Sequence, residues 1–233
     1  YMTDKRVAVI AGVSSPGDIA YGIALAFADA GWGVAVVGRH MKRTAQAAKQ
    51  LASQSGARVE ALVFESTREA GEEDAAKLAV RVEESLGAAA VLVNASQAAK
   101  IGDRLQASKP ADLFTALDTG VTGAYLLMRA FYPQLAQTRG LVVNLLSAGA
   151  TSGQPGMGLL AASKEGLRGL SRVAASEWEA DGIGVTCLEP QVRTSAFAKW
   201  AAEYPEAAEG FEGLESIEEF AARVVALAED GNN

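Results

Sequence analysis

The chain has 233 residues, of which 49% are hydrophobic and 21% are charged, and its formal net charge is −7. This composition is typical of a folded globular protein, and the acidic balance argues against a nucleic-acid partner, which needs a basic surface. A single cysteine excludes an intramolecular disulfide, and with a single histidine it argues against a metal site. The sequence has neither an apolar run of membrane-helix length nor a secretory signal, so we expect a cytoplasmic protein without a membrane partner.

Short β-branched segments alternate along the chain with longer alanine-rich segments of helical spacing. We predict strands at Val7–Ala11, Val34–Val37, Val59–Phe64, Val91–Val93, Leu141–Leu146 and Val185–Leu188. We predict helices at Ile19–Ala30, Thr44–Ser55, Glu72–Leu86, Ala111–Leu135, Leu159–Asp181 and Ile217–Ala228. This alternation predicts an α/β fold, a doubly wound parallel sheet of the Rossmann type in three α/β/α layers, with residues 1–233 as one domain. Ligands of such sheets bind at the carboxyl ends of the strands, where the strand order reverses.

A loop containing two glycines follows the first strand and opens the first helix. The glycines allow a tight turn, and the free N–H groups at the start of the helix can bind a pyrophosphate. We therefore predict cofactor contacts from Gly12, Ser14, Ser15, Gly17, Asp18 and Ile19. Two plainer interpretations stay open: a strand-to-helix turn without any ligand, and an Asp18 that serves solely as the N-cap of the helix.

The end of the second strand indicates which nucleotide would bind. An NAD site would place a carboxylate there, whereas this chain has Arg39, whose guanidinium suits the 2′-phosphate of NADP. We therefore predict NADP rather than NAD. The alternative is a solvated arginine beside His40, an exposed bystander, in a protein that binds no nucleotide.

Several segments resemble those of the short-chain dehydrogenase/reductase family, and together they span most of the chain. Asp18–Gly22 is similar to the Ser-Ile-Ala-x-Gly loop of its enoyl-reductase branch, and Leu92–Asn94 resembles the start of Leu-Val-Asn-Asn-Ala-Gly. The segments similar to the catalytic-serine strand, the Tyr-x-x-x-Lys helix and the loop beside the nicotinamide are Val142–Ser147, Ala162–Lys164 and Glu189–Thr194.

The resemblance implies a role for individual residues. It implies catalytic roles for Ser147 and Lys164, with Lys164 also holding the ribose of the cofactor. The further cofactor contacts that it implies are Glu65 near the adenine, Asn94 at the ribose, and Val192 and Thr194 at the carboxamide and phosphates.

Two positions depart from the family pattern. Leu160 stands where the resemblance implies the tyrosine that gives a proton to the substrate, and Gly120 stands where it implies an asparagine. Because leucine has no proton to give, two hypotheses stay open. The first is an NADP-dependent oxidoreductase with an altered site that acts on a small carbonyl, alcohol or enoyl substrate. The second is a non-redox or catalytically silent relative that binds a nucleotide or metabolite.

Residues 195–213 are predicted to form a short lid over the substrate, carrying Phe197, Trp200, Tyr204 and Phe211. These aromatic side chains either line an apolar pocket or pack the lid against the protein, and Tyr204 is a minor candidate for the missing proton donor. The two longest predicted helices have more alanine and leucine than one buried face needs, so we expect a homodimer or homotetramer. A protein that is solely an assembly scaffold would instead have a collapsed pocket, filled by Met157, Leu159 and Leu160.

Overall fold

A computed structural model describes residues 6–66, 71–192, 194–209 and 213–230. Its centre is a six-stranded parallel sheet with the order β3-β2-β1-β4-β5-β6, and this confirms the predicted doubly wound Rossmann fold. The strands are β1 (Val7–Ala11), β2 (Gly33–Gly38), β3 (Val59–Val63), β4 (Ala89–Asn94), β5 (Leu141–Leu145) and β6 (Gly184–Leu188).

The central strands are apolar on both faces because helices cover both sides of the sheet. Every residue of β1, β2 and β4 is buried, whereas β3 at the edge is largely half-buried. Two separate cores flank the sheet. One is formed with the helices that follow β1 and β2 and with the last helix of the chain, and the other mainly with the helices after β3, before β5 and before β6. This is the predicted three-layer arrangement.

The helices follow the strands in the predicted order. Their bounds are α1 (Ile19–Asp29), α2 (Met41–Ser55), α3 (Gly71–Ser85), α4 (Pro110–Leu117), α5 (Gly123–Thr138), α6 (Ala148–Thr151), α7 (Gly158–Trp178), α8 (Ser195–Glu203), α9 (Pro205–Ala208) and α10 (Ile217–Asp230). In the described part of the chain, no helix is both long enough and apolar enough to cross a membrane.

One predicted helix has an irregularity that its periodicity does not indicate. The segment Ala111–Leu135 is helical throughout, but it runs from α4 into α5 through a π-helical turn at Asp118–Thr122. A π turn inserts one extra residue into a helix and depends on what packs against it, so the periodicity of the sequence does not reveal it. This turn contains Gly120 and faces the loop that follows β4, since Thr119 Oγ1 accepts a hydrogen bond of 2.9 Å from the Ala98 N–H.

The strand order reverses between β1 and β4, and the chain leaves both strands at the same edge. Gly12, directly after β1, has a φ of +102°, which L side chains rarely adopt. A Cβ atom at this position would lie 2.6 Å from the backbone nitrogen of Ser96. Glycine is therefore required for the two loops to pass each other, and their contact forms the floor of the site described next.

Candidate active site

Two adjoining cavities open at the carboxyl edge of the sheet. A small cavity of about 180 Å³ lies beside the ends of β2 and β4, and a large cavity of about 620 Å³ lies between the loop after β1 and helices α7 and α8. Gly12, Ser14 and Gln97 belong to the walls of both cavities. The two cavities therefore meet at the strand-order reversal, as expected for an elongated ligand of this fold.

Most of the residues predicted from the sequence lie in these walls. The small cavity is lined by Gly12, Ser14, Arg39 and Asn94. The large cavity is lined by Gly12, Ser14, Ser15, Gly17, Asp18, Ile19, Ser147, Lys164, Val192 and Thr194. Glu65 belongs to neither wall. It is exposed, whereas its neighbours Phe64 and Ser66 line the small cavity.

The carboxylate of Asp18 organises the loop after β1. Its Oδ1 accepts from the N–H of Tyr21 at 2.7 Å, which makes Asp18 the N-cap of α1. Its Oδ2 accepts from the N–H and hydroxyl of Ser14 and from the N–H of Ser15, at 3.1, 2.8 and 2.9 Å. The carboxylate of Asp18 thus places a negative charge within the loop. Ile19 and Ala20, whose N–H groups in the first turn of α1 have no intrahelical acceptor, line the large cavity.

A basic rim and a buried amide characterise the small cavity. Arg39 and Arg43 line it, and both are exposed at its mouth. Asn94 is 3% exposed, and its Nδ2 donates to Asn144 Oδ1 at 2.7 Å. Its buried Oδ1 has no hydrogen-bond partner among the described residues. An unpaired buried acceptor is costly, so this oxygen indicates a site for a donor supplied by a ligand.

Lys164 and Ser147 stand at the opposite end, in the wall of the large cavity. Lys164 is 4% exposed, and its ammonium donates to the carbonyl oxygen of Leu145 at 2.7 Å. Burial lowers the pKa of Lys164 to about 8, against a smaller upward contribution from Cys187. Ser147, partly exposed at the end of β5, has a hydroxyl without a partner among the described residues. Both groups are therefore available to a polar atom in the cavity.

Comparison with known proteins decides the family. A family model described as Enoyl-(Acyl carrier protein) reductase matches residues 12–233. The 12alpha-hydroxysteroid dehydrogenase of a Clostridium species is 35% identical over 207 residues, which are 88% of this chain and 80% of that protein. The chain belongs to the short-chain dehydrogenase/reductase family. This is a family of oxidoreductases that use nicotinamide cofactors.

Solved structures of the family superimpose on the whole fold. L-sorbose reductase from Gluconobacter frateurii, complexed with NADPH and L-sorbose, has a TM-score of 0.82 at 25% identity and covers 98% of this chain and 91% of its own. A short-chain oxidoreductase from Pseudomonas aeruginosa, bound to NADPH and described as containing an atypical catalytic centre, has a TM-score of 0.81 at 25% identity, with coverage of 96% and 89%.

The position of the expected tyrosine of the family is apolar in this chain. Leu160, one helical turn before Lys164 on α7, lines the large cavity. Among the described residues of that wall there is no phenol, since Tyr204 lies outside it and donates its hydroxyl to the Gly102 carbonyl oxygen. The minor expectation that Tyr204 gives the proton therefore has no support from its position.

The rest of the large cavity is an apolar chamber next to Lys164. Its side chains come from the lid segment and the residue after it, from α7 and the residue before it, and from the loops after β4 and β5. They are Ile101, Leu146, Met157, Leu160, Phe197, Trp200 and Leu214. Met157 and Leu160 border an open space and do not fill it, which contradicts the collapsed pocket expected of a scaffold. Phe211 and Arg193 lie outside the described residues.

Several wall residues could not be identified from motifs. Arg43, Ser66 and Thr119 reach the small cavity from elements whose sequence carries no cofactor pattern. Gln97 carries a sequence signal for such a position, because it stands where the Leu-Val-Asn-Asn-Ala-Gly pattern has its last glycine. The described residues contain no group of three or more histidine, cysteine, aspartate or glutamate side chains placed to hold a metal ion.

Proposed function

We propose that this protein is an NADP-dependent oxidoreductase that works without a tyrosine as its proton donor. It interconverts a carbonyl and an alcohol, or reduces an enoyl group, on a small apolar substrate. The observation that carries the proposal is the pair of adjoining cavities at the strand-order reversal. One end holds the unpaired Oδ1 of Asn94 beside a basic rim, and the other holds Lys164 and Ser147.

The residues around the small cavity favour NADP over NAD. The side chain that follows β2 is the guanidinium of Arg39, and Arg43 adds a second one at the same mouth, so that the rim suits a phosphate on the ribose 2′ oxygen. We assign Asn94 to the adjoining ribose and Glu65 to the neighbourhood of the adenine. Two of the structural relatives are described as NADPH complexes, which agrees with this choice.

The large cavity is proposed to hold the nicotinamide half. The N–H groups of the first turn of α1, including that of Ile19, would hold the phosphates, and Val192 and Thr194 would hold the carboxamide. Ser14, Ser15 and Gly17 shape this wall, and Gly12 permits the close approach of the backbone.

The chemistry of the reaction divides between cofactor and protein. Reduction of a carbonyl adds a hydride to carbon and a proton to oxygen, and bound NADPH supplies the hydride. Ser147 would donate a hydrogen bond to the substrate oxygen and stabilise its developing charge. Lys164 would give up the proton, a role for which its position in the wall and its lowered pKa of about 8 suit it.

The apolar chamber defines the substrate more closely. The chamber offers apolar surface where a polyol would need hydrogen-bond partners. This surface comes from Leu160 of α7, from Met157 directly before it, and from Phe197 and Trp200 of α8. An apolar ketone or secondary alcohol therefore fits better than a sugar. The similarity to a hydroxysteroid dehydrogenase points in the same direction.

Titration with NADPH and NADH, followed by calorimetry, tests the cofactor. We expect NADPH to bind at least tenfold more tightly than NADH, and Arg39→Ala to remove most of this preference, because a charge-assisted pair with a phosphate contributes about 1.5–3 kcal/mol. Arg172→Ala, which removes an exposed arginine outside both cavities, is the matched control. If neither nucleotide binds at millimolar concentration, the proposal is wrong.

A silent or non-redox relative is the second candidate function. The observations that favour it are Leu160 in place of the proton donor, and the Asp18 carboxylate that already occupies N–H groups of the loop. Such a protein would bind a nucleotide or metabolite without transferring hydride. Measurement of turnover separates the two candidates.

A further inference from the structure

Gln97 lies on the ridge between the two cavities and contributes to the wall of each. It follows β4 in the loop that passes Gly12, and its side chain is partly buried. Its Nε2 donates to the carbonyl oxygen of Ala116 at 3.2 Å. Its Oε1 lies 3.2 Å from the hydroxyl of Ser163, whose single proton it shares with the same carbonyl oxygen at 2.9 Å. Contacts to α4 and α7 thus fix the amide in place at the junction.

The same amide takes up the space beside Gly120. A Cβ atom at position 120 would lie 2.5 Å from Gln97 Oε1 and 2.0 Å from Ser163 Oγ, so no side chain can be added there unless this pair moves. Position 120 is where the family pattern has an amide, and position 97 is where it has a glycine. The two departures are therefore complementary, because the side chain of Gln97, in the loop after β4, occupies the space that a side chain at position 120 would need.

An amide can make up to four hydrogen bonds, two as donor and two as acceptor. The described contacts of Gln97 use one N–H and at most one lone pair, which leaves one N–H and at least one lone pair without a partner among the described residues. A donor and an acceptor side by side match a sugar hydroxyl, which needs both, whereas a neutral amide does little to offset the charge of a phosphate. The chemistry therefore points to a hydroxyl-bearing part of the ligand.

We propose that Gln97 supplies the active-site amide of this protein, in place of a side chain at position 120, and binds a ribose hydroxyl of the nicotinamide half in the large cavity. This inference rests on the proposed NADP site. It adds a contact residue, and it explains why Gly120 is a glycine.

Binding measurements with two ligands test the contact. Gln97→Ala is expected to weaken the binding of NADPH about threefold to tenfold, which corresponds to the loss of one hydrogen bond. It should change the affinity for adenosine 2′,5′-bisphosphate, which lacks the nicotinamide half, by less than about twofold. Gln50→Ala, which removes an exposed glutamine outside both cavities, should change neither affinity. Gln97→Glu keeps the size of the side chain, loses the free donor, and should weaken NADPH at least as much.

The outcomes separate this inference from the proposed function. If Gln97→Ala weakens both ligands equally, or weakens neither, Gln97 is a packing residue and the inference is wrong. If the unaltered protein binds no NADPH, the NADP site itself is wrong.

Exchange of the two positions tests the complementarity. Gly120→Asn alone should weaken NADPH by more than about tenfold, because its Cβ displaces Gln97 and Ser163. Combining it with Gln97→Gly and Ser163→Ala removes both atoms that the new Cβ would meet, and should bring the affinity for NADPH back to within about threefold of the unaltered protein. A combined variant that binds NADPH no better than Gly120→Asn alone would show that the two positions are independent and would overturn the inference.

Discussion

At the scale of the residue, the site depends on what burial does to Lys164. An ammonium in a largely apolar wall loses hydration, and this lowers its pKa to about 8 although it keeps one hydrogen bond to Leu145. A group that titrates near neutral pH can both hold and release a proton there. In a site whose tyrosine position is Leu160, this property makes the lysine itself the best-placed acid.

The pH dependence of reduction follows from this assignment. Lys164 must be protonated to act as the acid, so kcat should be constant at lower pH and fall as pH rises through about 8. Lys164→Met should abolish turnover, whereas Ser147→Ala should lower kcat about 100-fold and leave the position of the descending limb unchanged. Steady-state rates between pH 6 and 10 measure this, and a profile that stays flat up to pH 10 would rule out Lys164 as the acid.

At the scale of the element, helix α1 combines two tasks that conflict. Asp18 caps the helix and ties the loop to it through Ser14 and Ser15. Its negative charge faces the large cavity, where the phosphates of a dinucleotide are proposed to lie. The capping contacts stabilise the element, while the charge would oppose the phosphates of the proposed ligand.

Changing Asp18 should separate the two tasks. Asp18→Asn keeps the oxygen that caps α1 and removes the charge, but its NH2 group cannot accept the hydrogen bonds of Ser14 and Ser15. NADPH should therefore bind several-fold more tightly at low salt, with a loss of stability smaller than that of Asp18→Ala. Asp18→Ala removes the cap and should lower the free energy of unfolding by about 1 kcal/mol. Calorimetric titration and denaturant unfolding measure the two effects. Weaker NADPH binding by Asp18→Asn would show that the carboxylate supports the ligand.

The same scale shows what the sequence could and could not predict. The six strands were predictable because a parallel sheet covered on both faces requires short runs that are apolar throughout, as in β1 and β4. The π turn at Asp118–Thr122 was not, since it depends on packing against the loop after β4. The wall position of Gln97 likewise depends on contacts between segments far apart in the sequence.

At the scale of the whole molecule, the fold brings separate sequence signals into one cleft. The strand-order reversal places the ends of β1, β2, β4 and β5 at one edge, so that Arg39, Asn94 and Ser147 serve the same pair of cavities. Family membership and fold are established, whereas fold alone does not determine whether hydride transfer occurs. The homodimer or homotetramer stays a prediction from the helix composition.

Transfer of deuteride tests the central claim most directly. The protein is incubated with NADPH that carries deuterium at the transferable position and with a panel of apolar ketones, including steroid ketones, and the alcohols are analysed by mass spectrometry. We predict one deuterium on the carbinol carbon of at least one product, and none with Lys164→Met. NADPH that binds tightly but passes deuterium to no member of the panel would contradict the oxidoreductase proposal and identify the protein as a silent, nucleotide-binding member of its family.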